Sequence, residues 1–149
     1  MTFDVADLDD PTVVELNTEL QAEYQRRYGG PDETPLVAGQ FRAPAGVFLV
    51  AKIGETAVGM GGWRSRGEDA ELKRMYVRPP HQRRGVARRL LAELEATARA
   101  AGRARLVLET GSAQPEALAL YRSAGYVEIE KFGYYSHTGS SHCLGKALA

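Results

Sequence analysis

A mixed α/β fold follows from three observations on this 149-residue chain. Apolar, β-branched runs recur at residues 46–53, 56–65 and 71–77, a strongly periodic helix opens after Gly85, and strand and helix patterns alternate from there to the end. Together they predict a single domain over residues 1–149, a mixed central sheet of about six to seven strands flanked by helices.

Taken in order, Asp10 before Pro11 is an N-cap followed by proline in the first helical turn. Val13, Val14, Leu16, Leu20 and Tyr24 then recur near helical spacing until Gly29, Gly30 and Pro31 stop them. Residues 31–45, rich in Pro, Gly and acidic side chains, predict a loop with a short helix around 36–41. The run 46–53 predicts a strand, Gly54-Glu55 a turn and 56–65 the second strand of a hairpin. A third strand at 71–77 ends before Pro79-Pro80, because proline cannot donate to a ladder. Ala87, Leu90, Leu91, Leu94, Ala98 and Ala101 share one helical face, and Gly102 stops that helix. Residues 105–109 predict a strand, 115–124 a helix closed by Gly125, and 126–130 and 141–148 the last two strands.

The composition, 44% apolar and 26% charged, excludes a disordered or fibrous chain. No apolar run reaches the length of a membrane span, and the N-terminal residues lack a signal-peptide layout, so a cytoplasmic protein without membrane contact is expected. The lone Cys143 rules out an intramolecular disulfide framework and agrees with a reducing compartment. A net charge of zero hides an asymmetry: residues 1–70 stand at −6 and residues 71–149 at +6.

The basic half contains the most informative segment. At residues 76–87 a strand runs into the turn Gln82-Arg83-Arg84-Gly85, which opens directly into a helix. The first amides of a helix lack intrahelical partners and carry partial positive charge, so this turn is suited to a phosphate. Gly85 allows close approach, Ala87 is small, and Arg83, Arg84 and Arg88 add charge-assisted contacts. The competing reading is a solvated helix start with a basic surface. Other phosphate motifs fail. Gly59-Met60-Gly61-Gly62 is followed by Arg64 where a dinucleotide fingerprint needs glycine, and the run 139–146 has the wrong spacing for a P-loop. His81, His137 and His142 fit no metal-ligand pattern, so no metal is expected.

Gln82-Arg83-Arg84-Gly85-Val86-Ala87 resembles the Gln/Arg-x-x-Gly-x-Gly/Ala signature of the GNAT superfamily of acyl-CoA-dependent N-acetyltransferases, after a strand ending Tyr76-Val77-x-Pro79. A second match follows in Leu108-Glu109-Thr110-Gly111 and in residues 115–126, which contain Leu120-Tyr121-x-x-x-Gly125-Tyr126. The resemblance implies transfer of an acetyl group from acetyl-CoA to a primary amine, in a cleft where two parallel strands splay apart. It implies that the backbone of Met75, Tyr76 and Val77 pairs with the pantetheine arm of coenzyme A. It further implies that residues from Gln82 through Arg88, including Val86, hold the pyrophosphate, and that Gln114 stands where many members carry an asparagine near that arm.

Attack on a thioester requires a proton to leave the amine and a proton to reach the departing sulfur. Glu71, on the strand leading into the loop, is the first candidate base, with Glu109 or a water chain in reserve; its alternative role is to pair with a cation. Alternation puts Glu71, Lys73, Met75 and Val77 on one strand face and Leu72, Arg74 and Tyr76 on the other. The resemblance points to Tyr121 as the acid, against a plain core role at helical spacing with Leu118. Cys143 has no legible base beside it, so direct transfer in a ternary complex is expected rather than an acetyl-cysteine route.

Arg64, Lys73 and Arg74, with Tyr134, Tyr135 and His137 near the last hairpin, form a candidate set for an acceptor that bears a carboxylate. A small-molecule amine is the expected partner, and the superfamily also admits a homodimer. Two rival functions are weighed. One is a non-catalytic acyl-CoA-binding or regulatory module. The other, nucleic-acid binding through the arginine cluster, is disfavoured by the zero net charge and by the lack of interleaved aromatics.

Overall fold

In the computed structural model, which describes residues 1–149, seven strands form one sheet in the order β1-β2-β3-β4-β5-β7-β6. The strands are β1 (Thr2–Val5), β2 (Gly46–Ile53), β3 (Thr56–Arg66), β4 (Asp69–Val77), β5 (Arg105–Gly111), β6 (Val127–Glu128) and β7 (Ser141–Ala147). Three helices accompany them: α1 (Pro11–Tyr28), α2 (Val86–Ala100) and α3 (Pro115–Ser123). Every neighbouring pair is antiparallel except β4 and β5. No helix is long and apolar enough to cross a membrane.

The local signals act as chemistry requires. The Asp10 carboxylate accepts from the Thr12 amide at 2.9 Å, and Gly29 closes α1 in the left-handed conformation at φ 77°. The short helix expected around 36–41 is a 3-10 turn at Ala38–Phe41. One strand was not expected, and one is shorter than expected. β1 has no strong strand signal because it is an exposed edge strand, held by pairing with β2. The strand expected at 126–130 shrinks to two residues, since it is the other edge and pairs only with Gly145 and Leu144.

The sheet separates two cores. On one face Val13, Leu16 and Leu20 of α1 pack with Phe41, Phe48 and Met60. On the other, Leu90, Leu91, Leu94 and Ala98 of α2 pack with Trp63, Leu72, Leu106 and Tyr121. The glycines of β3 serve this packing rather than a nucleotide, for a Cβ at Gly62 collides with the Phe48 ring.

β4 departs from simple alternation. Gly62 pairs with Lys73 and Met60 with Tyr76, so Gly61 faces both Arg74 and Met75, and Arg74 takes a left-handed φ of 60°. This is a β-bulge, and it reverses the side-chain phase beyond it. Met75 and Val77 therefore join the α2 core instead of sharing a face with Glu71. Arg74 and Tyr76, expected opposite Glu71 and Lys73, lie with them on the α1 side, where Arg74 meets Asp32 and Tyr76 donates to Glu19. Sequence alternation cannot register an inserted residue, which is why this assignment failed.

Candidate active site

β4 and β5 are paired at only two positions, Ala70 with Leu106 and Glu71 with Val107. Beyond them β4 runs on to Val77 and β5 to Gly111 without a shared ladder, so the strands diverge. A wedge of about 80 Å³ lies between Met75 on β4 and Leu108 on β5, closed by Ala117 and Tyr121 of α3. A polar cleft of about 340 Å³ adjoins it, between the end of α1, the loop that follows and the segment before β7. Tyr24, Asp32, Lys73, Glu109, Thr110 and Gln114 line both cavities, and so mark their junction.

At the mouth of the wedge the chain turns through Pro79–His81 into α2. Gln82 Nε2 donates to the Val77 carbonyl at 2.9 Å and ties the loop to the strand end. Arg83 and Gly85 both hold left-handed conformations, φ 63° and 80°. Gly85 is the N-cap of α2 and has no side chain to satisfy the first amides, which begin at Val86 and Ala87. Arg83 and Arg84 are exposed without carboxylate partners, and Arg88 reaches Ser123 Oγ at 2.5 Å. Uncapped amides, a glycine that leaves open space and three cations fit a diphosphate, while the unpaired edges of β4 and β5 fit an extended amide-bearing arm.

The two candidate bases separate. Glu71 is 3% exposed, lines neither cavity, and accepts from Arg64 Nε at 3.0 Å. Arg64 also donates to the Pro35 carbonyl at 2.9 Å and to Gln40 Oε1 at 3.0 Å, so this pair staples the 31–45 loop to the sheet. Glu109 stands at the junction, where its Oε2 accepts from the Tyr135 amide at 3.1 Å and from Ser141 Oγ at 3.2 Å. Burial raises its pKa, opposed by the nearby Lys73 charge.

Tyr121 is 7% exposed at the inner end of the wedge and packs edge-on against Tyr126 with ring centroids 5.8 Å apart. Tyr126 is anchored in turn, its hydroxyl donating to Glu95 at 2.7 Å, and Glu95 also takes Lys146. Burial pushes the Tyr121 phenol up, which keeps its proton in place.

Of the three cations of the candidate acceptor set, Arg64 and Arg74 pair directly with the chain's own carboxylates, and Lys73 only stands near one. Arg64 holds Glu71, Arg74 holds Asp32, and Lys73 Nζ lies 3.9 Å from Asp32 and 3.4 Å from Thr34 Oγ1. Tyr134 is 45% exposed and lines neither cavity; its neighbour Tyr135, packed edge-on against it with ring centroids 4.9 Å apart, lines the cleft instead. Gln114 lines both cavities, with Oε1 accepting from the Tyr28 hydroxyl at 3.0 Å. No group of three His, Cys, Asp or Glu is gathered to hold a metal ion.

Asp32 was invisible to sequence reasoning and is the hub of the site. It pairs with Arg74, accepts from the Thr34 amide at 3.0 Å and hydroxyl at 2.7 Å, and meets the Tyr135 hydroxyl at 3.2 Å. Burial pushes its carboxyl up, but Lys73, Arg74 and the Thr34 donors together outweigh that and hold it below the usual range. Its only sequence signal was a place in an acidic loop.

The model of the acetyltransferase (GNAT) family matches residues 13–126. The chain belongs to the GNAT family. As a member it is an acyltransferase whose co-substrate is acetyl-CoA. Among GNAT relatives, the IAA acetyltransferase of Azospirillum brasilense is 41% identical over 103 residues, 68% of this chain and 67% of its own length. The N-alpha-acetyltransferase RimI of Mycobacterium tuberculosis is 33% identical over 129 residues, 82% of this chain and 78% of its own. A Klebsiella pneumoniae structure assigned as an acyl-CoA N-acyltransferase superposes with a TM-score of 0.84 at 30% identity, over 99% of this chain and 97% of that one.

Proposed function

We propose that the protein transfers the acetyl group of acetyl-CoA to a primary amine by direct attack in a ternary complex. The observation that carries this reading is the junction: a donor-side wedge and a polar acceptor-side cleft share Glu109, with Tyr121 on the inner side. Acetyl-CoA supplies the activated acyl group. Met75, Tyr76 and Val77 offer backbone partners to its arm, Gln114 a side-chain contact, and Gln82, Arg83, Arg84, Gly85, Val86, Ala87 and Arg88 the diphosphate seat. Glu109 takes the proton from the acceptor ammonium, since an amine of pKa about 10 is mostly protonated at neutral pH. Tyr121 delivers a proton to the departing sulfur.

The acceptor we favour is a small amine without a carboxylate. Arg64, Lys73 and Arg74 face chain carboxylates, while Glu33 and Glu109 add negative charge to the cleft lining.

Two measurements test the proposal. Acetyl-CoA and CoA, but not ATP or NAD, are expected to raise the melting midpoint by several degrees. Sustained release of free thiol, beyond one equivalent per chain, is then expected only when an amine is added. Stabilisation by acetyl-CoA with no thiol release across an amine panel would reduce the protein to an acyl-CoA-binding module.

A further inference from the structure

We infer that Lys73 is itself an acetyl acceptor, a built-in primary amine standing where the two cavities meet; this rests on the transferase reading above. Lys73 alone of the chain's four lysines lines either cavity, and it lines both. Its side chain is 7% exposed, so it belongs to the site and not to the surface.

Its ammonium is loosely held. Three N–H donors find one hydrogen bond, the 3.4 Å contact to Thr34 Oγ1, and the Asp32 carboxylate at 3.9 Å lies outside hydrogen-bond range. Arg74 explains the slack, because it occupies Asp32 directly. Buried ammonium groups are ordinarily saturated with partners, and one that is not has donors to spare and loses a proton more readily. The groups that bear on it are Thr34, Asp32, Glu71, Arg74 and Glu109. Burial, helped by the Arg74 charge, lowers its pKa more than Asp32, Glu71 and Glu109 raise it, which enlarges the neutral, nucleophilic fraction.

The step uses the same groups as transfer to an external amine. Glu109 takes a proton from Lys73 Nζ, and the freed lone pair attacks the thioester carbonyl carbon. An N–C bond forms, the C–S bond breaks, the sulfur leaves with its electron pair and takes the Tyr121 proton, and the nitrogen gives its second proton to the Tyr121 phenolate. The products are CoA thiol and an amide on Lys73, and solvent later takes the proton from Glu109. Acetylation removes the Lys73 charge and adds bulk at the junction. It therefore happens once per chain.

The full-length protein is incubated with acetyl-CoA and no amine, then analysed by intact mass and by peptide mapping. The expected result is one acetyl adduct, located on Lys73, formed at a first-order rate independent of protein concentration. A saturating external amine is expected to suppress it, and Lys73→Arg to abolish it. The wild-type peptide map decides the matter even where the variant folds poorly. Turnover of an external amine with Lys73 unmodified overturns the inference and leaves the transferase standing, as do adducts spread evenly over Lys52, Lys131 and Lys146. Absence of both adduct and amine-dependent thiol release overturns the two together.

Discussion

Arg74 and Asp32 form an ion pair at 9% and 11% side-chain exposure, and Arg74 is the left-handed residue of the β4 bulge. A left-handed arginine costs roughly 1–2 kcal/mol, so the pair offsets strain at the point where β4 leaves β5. Removing one partner of a buried pair leaves an uncompensated charge. Asp32→Ala is expected to destabilise the protein by about 3 kcal/mol in urea unfolding. Because Asp32's carboxyl is held below its ordinary range, its contribution is present above the unfolded value and fades as pH falls through the folded one. An unchanged urea midpoint for the variant counts against the clamp.

Glu109→Gln tests the base. A drop in kcat of about 10²-fold or more is expected, with acetyl-CoA affinity retained. In the wild type the acid limb of the rate profile is expected above the ordinary glutamate range, because burial raises this carboxyl and the proposed base works only when ionised. That limb is expected to vanish in the variant.

Tyr121→Phe keeps the ring packed on Tyr126 and removes only the hydroxyl. Stability is expected to change by less than about 1 kcal/mol, while kcat falls about tenfold or more. Equal rates for the two proteins would return Tyr121 to the core.

Glu71→Gln separates an ion-pair residue from a base. It leaves Arg64 at 16% side-chain exposure without its carboxylate, so the thermal midpoint is expected to fall. The acid limb assigned to Glu109 is expected to survive. Its loss in this variant, with retention in Glu109→Gln, would exchange the two roles.

Gly85→Asp probes the helix start. Aspartate tolerates the left-handed conformation and caps helices well, so the fold is expected to persist. Its charge opposes a diphosphate, and acetyl-CoA affinity is expected to weaken about tenfold by calorimetry. Gly85→Asn, which keeps the geometry without the charge, is expected to bind more tightly than the aspartate variant.

Local chemistry made much of this protein legible in its sequence. The Asp10 cap, the Gly29 stop, the β2–β3 hairpin and the apolar face of α2 each depend on residues a few positions apart, and each stands where the pattern placed it. The turn from Gln82 into α2 was legible as a strand-to-helix connection for the same reason, since its uncapped amides are consecutive in sequence. The tertiary structure decided what depends on distant segments meeting. The β4 bulge exists only opposite β3, Asp32 finds Arg74 across 42 positions, and Arg64 finds Glu71 by strand pairing. Those meetings determined which carboxylate is buried in a staple and which faces the cleft. Both are glutamates on neighbouring parallel strands, and only the divergence of β4 from β5 tells them apart.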